Sequence, residues 1–436
     1  MGAIVKNATF LGSLPLTLTL HRPPIPIVVH QHLEDAMALR STRSVLTRAP
    51  NVMLHLLRRL DDRLAAHLDG LAVAGDFGRS LCLAALENVN RGSVFAAAVG
   101  AIDARDTRLL DKLIAIAEAE PNARAGLVSA FGWVSASSLR GITKTLLESA
   151  NLFHREVGLA ACAMHQVDPG PALASAIAAS ASAAQAVVAA GKLGRVDLLP
   201  ACLAGMAHDD STLQFESARS ALLLGDRQAS VQKLAEFASG AGEHQSAALL
   251  LALKVLPAAP ANALLKALSQ DGAMVRALIR GIGAAGDPHY VPWLIQQMSD
   301  LKLTRLAGES FSLITGLDLA ALDLERKPPE NEEFGPNADP DDDNVAMDED
   351  DSLPWPDADK IGAWWQNHGG RFAPGTRFFV GELPSPSHCR LVLKTGFQRQ
   401  RIAAAEYLCL LQPGTPLFNV AAPAWRQERL LTQMGA

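Results

Sequence analysis

Residues 273–298, AMVRALIRGIGAAGDPHYVPWLIQQM, decide the fold. Their apolar periodicity predicts one helix over Ala273–Gly283 and a second over Val291–Met298. Gly286 lies between the two and suits the left-handed cap that ends a helix. In Asp287-Pro288, the Asp can cap the next helix and the Pro fits its first turn. The stretch therefore predicts two short helices joined by a tight turn.

The same kind of turn recurs along the chain. Four turn glycines are separated by 31, 61 and 30 residues, and the longest interval equals two periods: Gly194, Gly225, Gly286 and Gly316. Helices of about ten residues are too short to be stable alone in water, so neighbouring pairs must stack and bury their apolar stripes together. About seven such units fit between Val94 and Asp318.

The composition favours the same architecture. Hydrophobic residues make up 49% of the 436 residues but aromatic residues only 5%, so the apolar mass is mostly Ala and Leu, which are strong helix formers. We therefore predict an all-α fold. It is an α-solenoid of helical-hairpin repeats, with a period of about 30 residues and with N- and C-terminal caps. Helix–turn–helix units of this period resemble HEAT-type repeats.

Five regions are predicted along the chain, and they differ in apolar periodicity and in charge. Two helices broken at Arg48-Ala-Pro-Asn51 precede the array, and an acidic break follows it. The regions are a leader that we expect to be unpacked (1–32), an N-terminal helical cap (33–93), the HEAT-like repeat array (94–327), an acidic disordered loop (328–351) and a C-terminal cap that contains tryptophans and further helices (352–436).

The C-terminal cap is predicted to contain four elements. Asp357 is the expected N-cap of a helix over Lys360–Asn367, and a short strand is possible over Arg377–Val380. Helices follow over Gln398–Leu411 and Ala424–Gln433.

Three tryptophans of this region fit two roles. Trp355, Trp364 and Trp365 could seal the end of the repeat array, where large apolar rings cover the last core layer. They could equally form a binding hot spot, because tryptophan is enriched there.

The acidic break is unusual in charge. Residues 328–359 contain 13 Asp and Glu and no Lys or Arg. Without these charges the formal net charge would be +7 rather than −6. Such a run is typical of a solvated linker, although it could also fold back and screen a basic groove. Three alternate aspartates in Asp339–Asp343 begin the spacing of a calcium loop, but Asn344 and Asp350 replace its Gly and Glu.

A series of short sequences resembles a poorly characterised bacterial family of HEAT-like repeat proteins, often encoded within type VI secretion gene clusters. The resemblance extends from about Leu33 to Leu430. The matching sequences are Leu68-Asp-Gly-Leu71, Gly132-Trp-Val134, Val167-Asp-Pro-Gly170, Gly286-Asp-Pro-His-Tyr-Val-Pro-Trp-Leu-Ile295, Ala307-Gly-Glu-Ser-Phe-Ser-Leu-Ile-Thr-Gly316, the acidic run, Leu353-Pro-Trp-Pro-Asp357 and Trp364-Trp365.

This resemblance implies a soluble accessory protein of a secretion system, such as an adaptor or chaperone that loads an effector. It implies no catalytic residue. We therefore expect a non-enzymatic protein-binding scaffold without a cofactor or metal, whose partner is a secreted effector or a spike component. An immunity protein that neutralises a toxin would use the same surface and remains an alternative.

Enzymatic alternatives lack their sequence signatures. HExxH, GxSxG and P-loop patterns are absent, and no His is followed by Glu, as in the metal-dependent hydroxylases with HEAT-like folds. DNA-lesion glycosylases also use HEAT-like arrays, but they need a basic face with aromatic residues, and the Lys and Arg here are not clustered. A nucleic-acid enzyme is therefore the weaker alternative.

Acidic residues in helical regions have structural explanations. Asp103 and Asp287 lie at predicted turns between helices, where capping accounts for them. Glu309 lies in an apolar helix, and we expect it to form an ion pair with Arg305 or Arg276.

We expect the second helices of successive repeats to line a concave, partner-binding face. Five polar residues of this row are candidate contacts: Arg140, Lys144, Gln232, Lys266 and Gln296. Together with Trp355, Trp364 and Trp365 they form the predicted protein-interaction site.

The cysteines and the hydropathy pattern bear on the location. The five cysteines are far apart and form no CxxC motif, which is typical of core residues in a reducing compartment. No run of 18 apolar residues predicts a membrane span. We therefore expect a cytoplasmic protein.

Overall fold

The structure, a computed structural model, describes residues 23–179, 183–330 and 348–435. In these ranges the chain is all-α, with 22 α-helices and no β-strand. The helices are Pro26–Leu46 (α1), Leu54–Val73 (α2), Gly75–Ala84 (α3), Arg91–Asp103 (α4), Thr107–Ala119 (α5), Pro121–Trp133 (α6), Ile142–Leu147 (α7), Leu152–His165 (α8), Pro171–Ala178 (α9), Ala183–Leu193 (α10), Leu199–Gly205 (α11), Ser211–Leu223 (α12), Ala229–Ser239 (α13), Gln245–Leu253 (α14), Ala258–Leu268 (α15), Val275–Ala285 (α16), Val291–Gln297 (α17), Thr304–Thr315 (α18), Ala358–His368 (α19), Pro386–Thr395 (α20), Gln398–Leu411 (α21) and Ala424–Gln433 (α22).

The middle of the described chain is regular. Helices α4 to α17 follow one another as seven pairs, and α18 follows the last pair. From α6 onward, the first helix of each pair and α18 end at intervals of 28 to 32 residues, at Trp133, His165, Leu193, Leu223, Leu253, Ala285 and Thr315.

Glycines with a left-handed backbone form the turns after several first helices. Gly194, Gly225, Gly286 and Gly316 have φ values of +68°, +114°, +71° and +75°. Glycine adopts such values without the steric cost that a Cβ atom brings. This requirement explains why the glycine spacing in the sequence marked the turns.

The first and second helices of the pairs differ in burial. First helices such as α4 and α12 are buried over most of their surface, whereas a second helix such as α13 buries only one stripe. Most successive first helices pack side by side, but successive second helices make few direct contacts or none. That the second helices line a concave face stays a prediction.

The C-terminal segment from Gly375 onward packs along the edge of the array where the turns after the first helices lie. Its hydrogen bonds to this edge extend from α18 back to α8. They are Val380 N to Leu313 O (2.6 Å), Phe378 N to Gly286 O (2.8 Å), Leu417 N to Lys192 O (2.8 Å) and Asn419 Nδ2 to Met164 O (3.3 Å). The region predicted as a cap at one end thus also covers an edge of the array.

Charged side chains of the C-terminal segment also bind to this edge of the array. The last carbonyl groups of a helix have no partner within the helix and carry the negative end of its dipole. Arg377 donates to three such oxygens near the ends of α14 and α16: Leu253 O (3.0 Å), Leu256 O (2.6 Å) and Ala285 O (3.2 Å). Lys254, just after α14, forms a buried ion pair with Glu406 of α21 at 2.7 Å.

The two ends of the described chain also meet. Asp61 of α2 is fully buried and accepts hydrogen bonds from Arg43 Nε (2.6 Å) and from the backbone N of Ala424 (2.7 Å). Arg43 in turn donates to the carbonyl oxygen of Ala422 (2.9 Å). This cluster joins α1, α2 and α22.

The folded part begins earlier than the sequence predicted. Helix α1 starts at Pro26, a residue whose fixed φ suits the first turn of a helix, and Val29 is buried in the N-terminal core. Residues 26–32 therefore form the first turns of α1, in which Val29 is buried and most of the other side chains are exposed. Residues 1–22 and the calcium-loop aspartates Asp339–Asp343 lie outside the described residues.

The short strand suggested over Arg377–Val380 does not form. Phe379 makes only an isolated bridge with Glu382, because the N–H groups of Phe378 and Val380 bond to carbonyls of the array instead of a neighbouring strand. Helices α21 and α22 have the predicted bounds, and Asp357 caps α19 through the N–H of Asp359 and Lys360.

We predict that Gly286→Ala lowers the free energy of unfolding by about 2–4 kcal/mol, measured by urea denaturation. The added methyl group would combine a strained φ with a contact of 2.2 Å to Phe378 O. Gly375→Ala is the matched control, because its φ is +77° but open space surrounds the methyl group. It should cost only about 1 kcal/mol. Equal losses for the two variants would show that the C-terminal segment does not constrain this turn.

Candidate functional site

A cavity of about 780 Å³ opens where the two ends of the described chain meet. Its walls come from α2, α3 and α4, the turn after α6, the end of α8, and α22. The volume lies in the range of pockets that hold ligands. Because these elements are distant in sequence, the repeat pattern gave no sign of the cavity.

Helix α4 forms the floor. Asn90 fixes its start, since the side-chain oxygen accepts from the backbone N of Gly92 (2.9 Å) and Ser93 (3.0 Å). Most of the residues that line the cavity on this helix are small, and they include Ala97 and Gly100. A Cβ atom added at Gly100 would meet nothing within 4 Å, so a larger side chain there would project into the cavity.

Two tryptophans form one wall. Trp133 at the end of α6 and Trp425 in α22 lie edge to face, with ring centroids 5.0 Å apart and planes at 82°. The guanidinium groups of Arg43 and Arg58 lie 5.5 Å and 6.0 Å from the centroids of Trp133 and Trp425. Aromatic and cation–π contacts of this kind hold the rings in fixed positions.

Arg426 connects this wall to the array. Its guanidinium donates to the carbonyl oxygens of Gly132 (3.0 Å), Trp133 (3.2 Å) and Val134 (2.8 Å) at the end of α6. Burial lowers the pKa of Arg426 to about 10, with a smaller effect from Arg429, and the side chain stays charged at neutral pH. It therefore satisfies the end of α6 and positions α22.

Charged side chains of both signs line the exposed part of the cavity. Burial raises the pKa of the Asp103 carboxyl; a hydrogen bond with Ser138 opposes this rise, and the charge of Asp69 adds to it. Such an arrangement complements a ligand that carries both positive and negative groups. The charged residues are Asp69, Asp103, Asp106, Arg79 and Arg429.

Two further residues that line the cavity, Cys82 and His165, are uncharged because they are buried. Burial raises the pKa of Cys82 to about 11, so this residue stays a thiol at neutral pH. His165 Nε2 lies 2.7 Å from Phe131 O, and burial lowers the pKa of the imidazole, so it is neutral at pH 7. The cavity thus offers apolar surface and a charged rim, which are features of a binding site.

The five polar residues predicted as contacts do not come together. All are exposed, and they belong to the second helices α13, α15 and α17 and to the region of α7. Lys144 lies 3.8 Å from Glu148, and Gln232 donates to Glu236 at 3.4 Å. The other three residues are Arg140, Lys266 and Gln296, and none of the five lines the cavity.

The three predicted tryptophans pack against the last helices of the array. Trp355 is buried, and the guanidinium of Arg305 lies 4.7 Å from its ring centroid. Trp364 and Trp365 are both half-buried, with centroids 6.2 Å and 6.4 Å from that of Phe311 in α18. None of the three lines the cavity.

Two acidic residues differ from their predicted roles. Asp106 caps α5 through the backbone N of Leu109 (3.0 Å), whereas Asp103 ends α4 and lines the cavity. Glu309 pairs with Arg399 at 2.7 Å and not with Arg305 or Arg276, because α21 lies beside α18. The sequence held one signal of the cavity, the run of small residues in α4, which the sequence-based prediction did not use.

Comparison of the chain with models of known protein families, with curated proteins and with solved structures gave no match in any of the three. Among the described residues, no group of three or more His, Cys, Asp and Glu has a geometry that could hold a metal ion. The five cysteines are free and buried. None of the described helices combines the length and the apolar character needed to cross a bilayer.

We predict that Arg426→Met lowers the free energy of unfolding by about 2–4 kcal/mol in urea denaturation, because it leaves buried carbonyl oxygens without donors. Arg429→Met is the matched control in the same helix. Its side chain is exposed, so the loss should stay below about 0.5 kcal/mol. If both variants unfold at the same urea concentration, Arg426 does not fasten α22 to the array.

Proposed function

We propose that this chain is a protein-binding scaffold that holds a segment of a partner protein in the cavity between α2, α3, α4 and α22. The observation that carries the proposal is the cavity itself, with its volume of about 780 Å³. A floor of small residues lets a polypeptide backbone approach closely. A rim of carboxylates and guanidinium groups complements the mixed charges that a protein segment carries.

Rigidity of the walls supports the proposal. The buried Asp61 ties α1, α2 and the start of α22 together, and Arg426 ties α22 to α6. Because these contacts are buried and lie within the chain itself, binding would not have to order the walls. The free energy of the contacts would then appear more fully as affinity.

The more specific part of the proposal rests on the sequence resemblance. We propose that the helix pairs are HEAT-like repeats, and that the protein works in the cytoplasm as an adaptor or chaperone of a type VI secretion system. Its partner would be an effector or a spike component. An immunity protein would use the same cavity, but would protect cells from a toxin encoded beside it.

Gly100→Phe tests the cavity. The partner is first captured from the native host with the wild-type protein and identified by mass spectrometry, and its affinity is then measured by calorimetry. The Phe ring should occupy the cavity and weaken binding at least about tenfold. The melting temperature should not fall, because Gly is the weaker helix former and open space surrounds its Cβ position.

Gly362→Phe is the matched control. Gly362 lies in α19, away from the cavity, and open space also surrounds its Cβ position. This variant should keep the wild-type affinity. Unchanged affinity of Gly100→Phe would place the partner elsewhere. Protection of cells by the wild-type protein from a co-encoded toxin would favour the immunity function over the adaptor.

A further inference from the structure

Four arginines of the last helices of the array and of α21 gather on one surface, and none of them lines the cavity. Arg276 and Arg280 lie one turn apart on α16, Arg305 lies on the neighbouring α18, and Arg399 lies on α21. Like charges at this spacing repel each other, so the cluster requires negative partners. We call it the arginine cluster.

Three consecutive acidic residues of the chain occupy this cluster: Asp348, Glu349 and Asp350, which we call the acidic strap. Asp348 pairs with Arg305 at 2.7 Å, and Asp350 pairs with Arg276 at 2.7 Å. Glu349 lies 2.9 Å from Arg280 and 3.4 Å from Arg276.

The cluster also binds the backbone of the strap. Arg305 Nη1 donates to Asp350 O at 3.1 Å, and Arg399 Nη2 donates to Glu349 O at 3.5 Å. Carboxylates on successive residues together with peptide carbonyls are groups that a polypeptide supplies. A nucleic-acid backbone offers phosphates but no such carbonyls.

Burial differs along the strap. The side chain of Asp350 is 5% exposed, whereas that of Glu349 is 65% exposed, and Arg276 and Arg280 are each about one-third exposed. Exposed ion pairs contribute little to stability, so the outer part of this contact can exchange with an external carboxylate at low cost.

We propose that the arginine cluster is a docking surface for an acidic segment of a partner protein, and that the acidic strap occupies it as an intramolecular competitor. The cluster recognises consecutive Asp and Glu residues through their carboxylates and through the backbone between them. The surface is separate from the cavity, so this inference stands even if the cavity binds nothing.

The competition follows from covalent linkage. A strap attached to the same chain acts at an effective concentration that can reach the millimolar range, so a partner segment binds weakly until the strap is weakened. Arginine suits this role because its planar donors match carboxylate geometry. Salt should weaken the binding of both the strap and the partner segment to the arginine cluster.

A labelled peptide with the sequence of residues 345–352, VAMDEDDS, tests the proposal by fluorescence anisotropy. The triple variant D348N/E349Q/D350N removes the three carboxylates of the strap from the cluster, whereas Glu309 stays paired with Arg399. It should bind the peptide at least about tenfold more tightly than the full-length wild-type protein, and less tightly as salt is raised. Adding Arg276→Gln and Arg280→Gln to the triple variant should abolish this gain.

A second variant keeps the proposal testable if the triple variant does not fold. Glu349→Gln removes only the exposed carboxylate and should raise the affinity for the peptide about threefold. The proposal is overturned if neither variant gains affinity, because the strap is then only a structural brace. It is equally overturned if the VAMNQNNS peptide or a single-stranded oligonucleotide binds as tightly as the acidic peptide.

Discussion

The structure depends on one requirement: the carbonyl groups at the ends of the first helices need hydrogen-bond donors. Each helix leaves its last carbonyl groups without a partner, and stacking the pairs places many of these ends along one edge. Along this edge the C-terminal segment supplies donors, with Arg377 at the ends of α14 and α16 and Arg426 at the end of α6. The segment also supplies the backbone groups that meet the turns at Gly286 and Gly194. The array and its last residues therefore form one cooperative unit.

Both proposed binding surfaces follow from this arrangement. Because the C-terminal segment runs back to the N-terminal helices, α22 closes one side of a cavity whose other walls are α2, α3 and α4. Where the segment meets the end of the array, α21 brings Arg399 beside the arginines of α16 and α18. Each surface combines residues from distant parts of the sequence, so its geometry depends on the same long-range contacts that stabilise the fold.

The sequence predicted the local structure well, because local rules determine it. Turn glycines such as Gly286 need a positive φ. The apolar periodicity of the sequence predicted where α21 and α22 begin and end. That the second helices line a concave face stays a prediction, since local rules do not determine how the pairs stack. The cavity could not be predicted, because nothing in the sequence places Trp425 beside Trp133. The acidic run was predicted as a linker that could also screen a basic groove; of its described residues, Asp348–Asp350 pair with arginines.

Cleavage of the chain within residues 331–347 tests the central claim most directly. A protease recognition sequence is inserted at residue 340, and the protease then cuts the chain between the array and the C-terminal segment. Neither step alters a described contact. If the segment fastens the edge of the array, the two fragments elute together from a size-exclusion column in native buffer and separate only in denaturant. Separate elution in native buffer, with the array still helical by circular dichroism, would contradict the account.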